Sequence, residues 1–244
     1  MKRVKSGIAA IAGALVLASV AVGAEAQEVE LTGNVSLASD YAFRGISQTM
    51  EEPAVQGGLD VSGPAGVYLG AWGSSVNFGE DLPRAQLELD VYGGIAPSVA
   101  GFDFDLGALY YLYPGSESAN NFDFYEIYGG VGRTVGPLGL GLSAAYSPDF
   151  FAASGTGVWF GAEASVGVPG TPLTLDGSLG KQSIEENDVW GTPDYMAWSA
   201  GIGAELFGAS IGATLTGTDL EEGECFGGSD LCNTRVILSV GRGL

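Results

Sequence analysis

From position 29 onward the chain alternates apolar with polar or small residues at a period of two. Ala85, Leu87, Leu89 and Val91 share one face of a segment whose other face is Arg84, Gln86, Glu88 and Asp90. Phe102, Phe104, Leu106 and Ala108 interleave with Asp103, Asp105, Gly107 and Leu109, and Met196, Trp198, Ala200 and Ile202 interleave with Ala197, Ser199, Gly201 and Gly203. A period of two places successive side chains on opposite faces of an extended strand. About twelve such segments are expected, near 29–40, 53–62, 67–77, 84–95, 101–112, 122–134, 138–147, 157–168, 172–180, 194–206, 209–217 and 234–241.

The connections sharpen this pattern into an architecture. Short turns at 63–66, 96–100, 135–137, 169–171 and 207–208 alternate with longer acidic or glycine-rich loops at 41–52, 78–83, 113–121, 147–156, 181–193 and 218–233. Strict alternation of short and long connections, an even strand count and strands of about 9–11 residues are what a membrane-spanning barrel requires. The expected fold is therefore all-β, a transmembrane antiparallel up-and-down β-barrel over 27–244. Its short turns and both termini would be periplasmic, and its long acidic loops extracellular.

A soluble β-sandwich is the competing reading. Against it, the non-apolar faces are crowded with Gly, Ser and Ala, where a solvated surface normally carries many Lys and Glu. Aromatic residues also gather near strand ends, as interfacial girdles do: Tyr41, Phe43, Phe78, Tyr110, Tyr113, Phe122, Tyr146, Phe150, Trp190 and Phe207. The N-terminus reads as a targeting segment. Lys2, Arg3 and Lys5 precede an apolar, alanine-rich run from Ile8 to Val22, and Ala24-Glu25-Ala26 offers a cleavage site. A signal peptide over 1–26 would leave a mature chain from Gln27 with one lysine, Lys181.

Composition then removes whole classes of function. The 244 residues include no histidine, so no Ser-His, Cys-His or histidine-metal mechanism is available. A formal net charge of −20 argues against nucleic acid, whose binders present a basic patch. No phosphate-binding, dinucleotide, zinc or EF-hand motif occurs, and no cofactor or enzymatic activity is expected. Carboxylates are the remaining acid/base groups, and pairs such as Glu88/Asp90 are commonplace in an acidic lumen. Asp219, Glu221, Glu222 and Glu224 lack the spacing of a calcium loop and read as a solvated acidic loop.

If the apolar faces meet lipid, the opposite faces line the lumen. That assignment makes Asp60, Arg84, Glu88, Asp90, Asp103, Asp105, Glu126, Glu163, Asp176 and Glu205 the expected pore-lining charges, nine carboxylates against one arginine. Carboxylates facing an aqueous channel attract cations. The competing reading places them in hydrogen-bond networks with Tyr68, Tyr92, Tyr128 and Trp72 in a filled interior. Inward glycines, among them Gly58, Gly94, Gly107 and Gly161, leave room and favour a narrow water-filled pore. Cys225 and Cys232 share the last long loop of an exported chain and are expected to form a disulfide.

Four stretches carry a family resemblance. VSLASDYAFRGISQT at Val35 to Thr49 and PAVQGGLDVSGPAGVYLGAWGSSVNF at Pro53 to Phe78 resemble the TorF-like porin family of proteobacterial outer-membrane proteins, as do ELDVYGG at Glu88 to Gly94 and LYYLYPG at Leu109 to Gly115. The resemblance implies a porin-like barrel in the outer membrane and names no solute. The chain ends on Leu244, where many such barrels end on an aromatic residue. Within the first stretch, Tyr41, Phe43 and Arg44 read either as a loop folded toward the pore, with Arg44 on lumen acids, or as an interfacial anchor with Arg44 meeting lipid phosphate. The anchor is the favoured reading. Two function classes stay open. One is a channel for small hydrophilic solutes or ions, cation-preferring, with outer-membrane lipid and lipopolysaccharide as surroundings. The other is a non-conducting barrel with a structural or surface-interaction role.

Overall fold

The computed structural model describes residues 29–79 and 85–244. The expected signal peptide over 1–26 and the expected pore-lining Arg84 lie outside the described residues. Twelve long strands form the barrel: β1 (Glu30–Ala38), β2 (Ala54–Ser62), β3 (Val67–Ser75), β4 (Leu87–Ile95), β5 (Phe102–Leu112), β6 (Phe124–Val135), β7 (Leu138–Ser147), β8 (Gly157–Gly167), β9 (Leu173–Ile184), β10 (Tyr195–Leu206), β11 (Ala209–Thr218) and β12 (Arg235–Gly243). Each pairs antiparallel with its sequence neighbours, and β1 also pairs with β12, Asn34 opposite Gly243 and Ala38 opposite Ser239. The sheet is thus closed on itself, which leaves none of the long strands with an unpaired edge.

Every expected strand is found, with ends displaced by at most four residues. The largest displacement is in β9, which runs on to Ile184 because Lys181–Ile184 continue the ladder against Phe160–Gly157 of β8. The five short turns lie at one end of the barrel. The start of β1, where Glu30 opposes Ser62, lies at that same end.

The two faces of the sheet differ as the alternation requires. Leu59, Leu69, Leu106, Ile127, Leu142, Phe160, Leu179 and Leu238 point outward and are exposed, forming an apolar belt around the barrel. So extensive an exposed apolar surface is foreign to a soluble monomer. Side chains on the alternate positions point inward. There Trp72, Glu88, Tyr111, Glu126, Trp159 and Gln182 are buried, so the packed core of this molecule sits inside the barrel.

The inward glycines are used differently from expectation. A Cβ on Gly107 would come within 2.5 Å of the Tyr128 hydroxyl, and one on Gly94 within 2.6 Å of the Tyr68 hydroxyl. The Trp159 ring lies across Gly180 in the same way. These glycines are recesses that seat aromatic rings, and at these positions the space is occupied by side chains.

Candidate functional site: a divided lumen

The first long loop does not project from the barrel. Beyond β1 the chain turns inward and forms a small hairpin, Ala42–Phe43 against Ile46–Ser47. Arg44 and Gly45 supply its two-residue turn, both with positive φ (47° and 84°). Positive φ at both central positions is the geometry that twists with a hairpin, and glycine at the second position costs least there. The backbone of the tip lies against β10 and β11. A Cβ on Gly45 would meet the Gly217 carbonyl oxygen and Thr218 Cγ2, each at 2.8 Å.

The base of this hairpin is fastened by polar contacts. Asp40 Oδ1 accepts from the hydroxyls of Ser47 and Thr49, each at 2.7 Å. Its other oxygen pairs with Arg235 of β12 at 3.2 Å. Arg235 also pairs with Glu51 at 3.4 Å and donates to the Asp230 carbonyl at 2.7 Å. First loop, last strand and last loop are therefore locked together at the long-loop end.

Arg44 sits in the middle of the lumen. Its Nη2 pairs with Glu126 Oε2 of β6 at 2.8 Å, and its Nη1 donates to Gln182 Oε1 of β9 at 2.6 Å. The guanidinium also lies over the Trp159 ring, 4.9 Å from its centroid, and beside Phe43 at 4.6 Å. The anchor reading of Arg44 is thus overturned: it is buried and meets lumen groups. The physical reason is charge. At the interface Arg44 would meet water and lipid phosphate, where an ion pair is screened, whereas inside it finds a buried carboxylate whose desolvation it offsets.

Around Arg44 lies a set of buried acids bonded by tyrosines. Glu88 accepts from the hydroxyls of Tyr41 and Tyr113, each at 2.7 Å. Tyr111 donates to Glu126 Oε2 at 3.1 Å. Asp90, 1 % exposed, follows Glu88 by two residues on the same inward face of β4. Toward the short-turn end the same wall continues with Tyr92 donating to Asp60 at 2.5 Å, Tyr68 donating to Asp105 at 2.6 Å, and Tyr68 hydrogen-bonded to Tyr128. Asp103 lies at the short-turn rim, where Ser98 donates to it at 2.5 Å. Five of the expected pore-lining acids, Asp60, Glu88, Asp90, Asp105 and Glu126, therefore lie inside but within this tyrosine-carboxylate wall of β2–β6. Trp72, the fourth aromatic expected in the network, packs edge-on against Tyr41, with ring centroids 5.4 Å apart.

The opposite wall is unlike it. On β8–β10 the inward positions below Trp159 are small or acidic: Gly161, Glu163, Ser165, Asp176, Ser178, Gly201 and Glu205. Glu163, Asp176, Ser178 and Glu205 are exposed although they point inward, so this part of the lumen is accessible to water. Here Ser178 and Ser199 share a hydrogen bond at 2.7 Å.

Above the hairpin the long loops close over the barrel through aromatic rings. Phe78, Tyr113, Phe122 and Phe151 pack on one another, Phe150 and Phe151 contact Trp190, and Trp190 contacts Phe226. Phe226 follows Cys225 within the ring closed by the Cys225–Cys232 disulfide, whose Cα atoms are 5.9 Å apart. Most of the expected girdle is thereby corrected. Tyr41, Phe43, Phe78, Tyr113, Phe122, Phe150 and Trp190 pack inward or into the loop cluster, while Tyr110, Tyr146 and Phe207 are exposed on the outside as girdle residues are. The rings left the interface because five loops supply enough of them to bury one another.

No helix among the described residues is long and apolar enough to cross a membrane, which says nothing of a barrel that crosses with strands. Solved structures of similar shape include a porin refined at 1.8 Å (12% identity, TM-score 0.44, covering 89% of this chain and all of that one). The outer-membrane channel DcaP of Acinetobacter baumannii matches at 10% identity and TM-score 0.47, over 90% of this chain and 98% of its own. LpxR from Salmonella typhimurium matches at 8% identity and TM-score 0.47, over 87% and 99%. Among proteins of curated function none matches. The family model that fits residues 23–243 is described differently from the TorF-like porins and assigns no activity. By that match the chain belongs to the family Gcw_chp, bacterial proteins of unknown function.

Proposed function

We propose that this protein is a porin-like barrel of the bacterial outer membrane, a passive and cation-preferring conduit for small hydrophilic solutes. The single observation that carries the reading is the β8–β10 wall, where Glu163, Asp176 and Glu205 point into the lumen and still meet water. Carboxylates in a narrow aqueous passage concentrate cations and repel anions. The outward apolar belt suits the hydrocarbon of a bilayer, with Tyr110, Tyr146 and Phe207 toward its two interfaces. The resemblance of Val35–Gly115 to TorF-like porins supports the same reading. So does the N-terminal 1–26 segment, which suits export across the inner membrane.

One observation favours a second reading, a barrel that does not conduct and acts at the surface. The hairpin and the aromatic loop cluster fill the long-loop half of the lumen. Planar-bilayer recording of the purified protein under a KCl gradient separates the two. A conductance with a reversal potential on the cation side supports the conduit. A silent barrel supports the second reading, and anion selectivity contradicts the lumen assignment.

A further inference from the structure

The buried charges of the hairpin region do not balance. Glu88, Asp90 and Glu126 are each at most 2 % exposed, and Arg44 is the cation paired among them. Two carboxylate oxygens, Asp90 Oδ1 and Glu126 Oε1, are buried without a hydrogen-bond partner, as is Nε of Arg44 itself. Leaving such acceptors dry and unpaired is costly, and native interiors rarely do so. Among the described residues no group of three or more acidic or thiol ligands converges on a metal position. The Arg44 guanidinium is held on its edge by Glu126 Oε2 and the Gln182 side-chain carbonyl and on its face by the Trp159 ring, with Glu126 Oε1 beside it lacking a donor. Guanidinium fits that arrangement because its donors lie in a plane and its faces stack on aromatic rings.

We propose that the Glu126–Gln182–Trp159 cradle is a binding site for a small guanidinium-bearing cation, with Arg44 as its tethered occupant. A solute entering past Glu163 and Asp176 meets Trp159 and then the same acceptors that hold Arg44. Binding there competes with the hairpin and releases its tip. The ligand class deepens the cation-conduit reading and rests on it, but the site is tested by binding, which does not depend on conductance.

The test uses full-length protein refolded in detergent, its unfolding followed by loss of the heat-modifiable band. In Arg44→Ala, methylguanidinium at about ten times its dissociation constant raises the melting temperature by ~3 °C, while equal tetramethylammonium does not. Arg44→Ala/Glu126→Gln loses the shift, and the wild type, in which methylguanidinium must displace Arg44 and forfeit its contacts, shows none. An absent shift in Arg44→Ala overturns the proposal, as does an equal shift in the double variant or the wild type. Should Arg44→Ala fail to refold alone, methylguanidinium in the refolding buffer must restore the heat-modifiable band. Failure to restore it contradicts the site equally. A barrel that binds methylguanidinium but never conducts would sink the conduit reading and leave the site standing.

Discussion

The two halves of this lumen use the same residue types to opposite ends. Along β2–β6, carboxylates lie under tyrosine hydroxyls and one arginine, and glycines seat rings. Toward the short turns on β8–β10, carboxylates stand among serines and glycines and remain wet. The difference arises from what is supplied opposite them. The hairpin from the first loop brings Tyr41, Phe43 and Arg44 into the first region, and nothing comparable enters the second. An inward acid is therefore buried or wet according to whether tyrosines or the hairpin lie opposite it, as Tyr68 does for Asp105 and, among the described residues, nothing does for Glu163.

The largest effect on this contrast should come from Arg44. Removing one partner of a buried ion pair leaves an uncompensated charge, worth ~3–5 kcal/mol. Arg44→Ala is expected to lower the melting temperature by many degrees. Where it folds, single-channel conductance should rise several-fold, because the hairpin loses its hold on β6 and β9. An unchanged conductance with a lowered melting temperature would show that Arg44 only stabilises.

Next is Gly45→Val, which forces a β-branched side chain to positive φ and into the Gly217 carbonyl. The left-handed backbone alone costs about 1–2 kcal/mol, before any clash. The hairpin tip should withdraw from β11, visible as new protease cleavage near residue 44. Wild-type protease resistance would mean that the tip does not rest where it is described.

The two classes of acid should then separate by readout. Glu88→Ala removes the acceptor of two buried tyrosine hydroxyls, at about 1–3 kcal/mol for each group left unpaired, and should act on melting rather than on selectivity. Glu163→Gln/Asp176→Asn should leave melting within a degree or two and move the reversal potential toward zero. The selectivity of the wild type should itself weaken between 0.1 M and 1 M salt, as the Debye length falls from ~10 Å to ~3 Å. Selectivity that follows Glu88 and ignores Glu163 would invert the contrast. The smallest effect is expected of Cys225→Ser/Cys232→Ser. Its ring holds Phe226 against Trp190 in the loop cluster and adds no rung to the strand ladder, so loop proteolysis should increase with little change in barrel melting.

How far the sequence disclosed this arrangement follows from the range of each interaction. Strands and turns were legible because alternation is local: two neighbours suffice to tell which face Glu88 or Asp176 takes. The disulfide was legible from two thiols in one loop of a chain whose N-terminus reads as a targeting segment. Arg44 was not, because its partners are 82 and 138 residues away and nothing in Tyr-Ala-Phe-Arg-Gly says whether the segment leans inward or outward. The loop aromatics were misread as a girdle for a related reason. Outside a strand there is no alternation, and a Phe at a loop base reads the same whether it meets lipid or another Phe. Glycine reported space in the wall but not its occupant, since Tyr128 and Trp159 fill those recesses from neighbouring strands.

The division of the lumen is tested most directly by thiol accessibility. In a background of Cys225→Ser/Cys232→Ser, one inward cysteine is placed at a time, by Ser178→Cys below the hairpin or Ala145→Cys beside it. Ala145 is 3 % exposed, whereas Ser178 faces the lumen and meets water. A small charged thiol reagent should label Ser178→Cys within minutes in the folded barrel and leave Ala145→Cys unlabelled until the protein is heat-denatured. Equal labelling of the two in the folded state, or faster labelling at Ala145, would contradict a lumen closed in one half and open in the other.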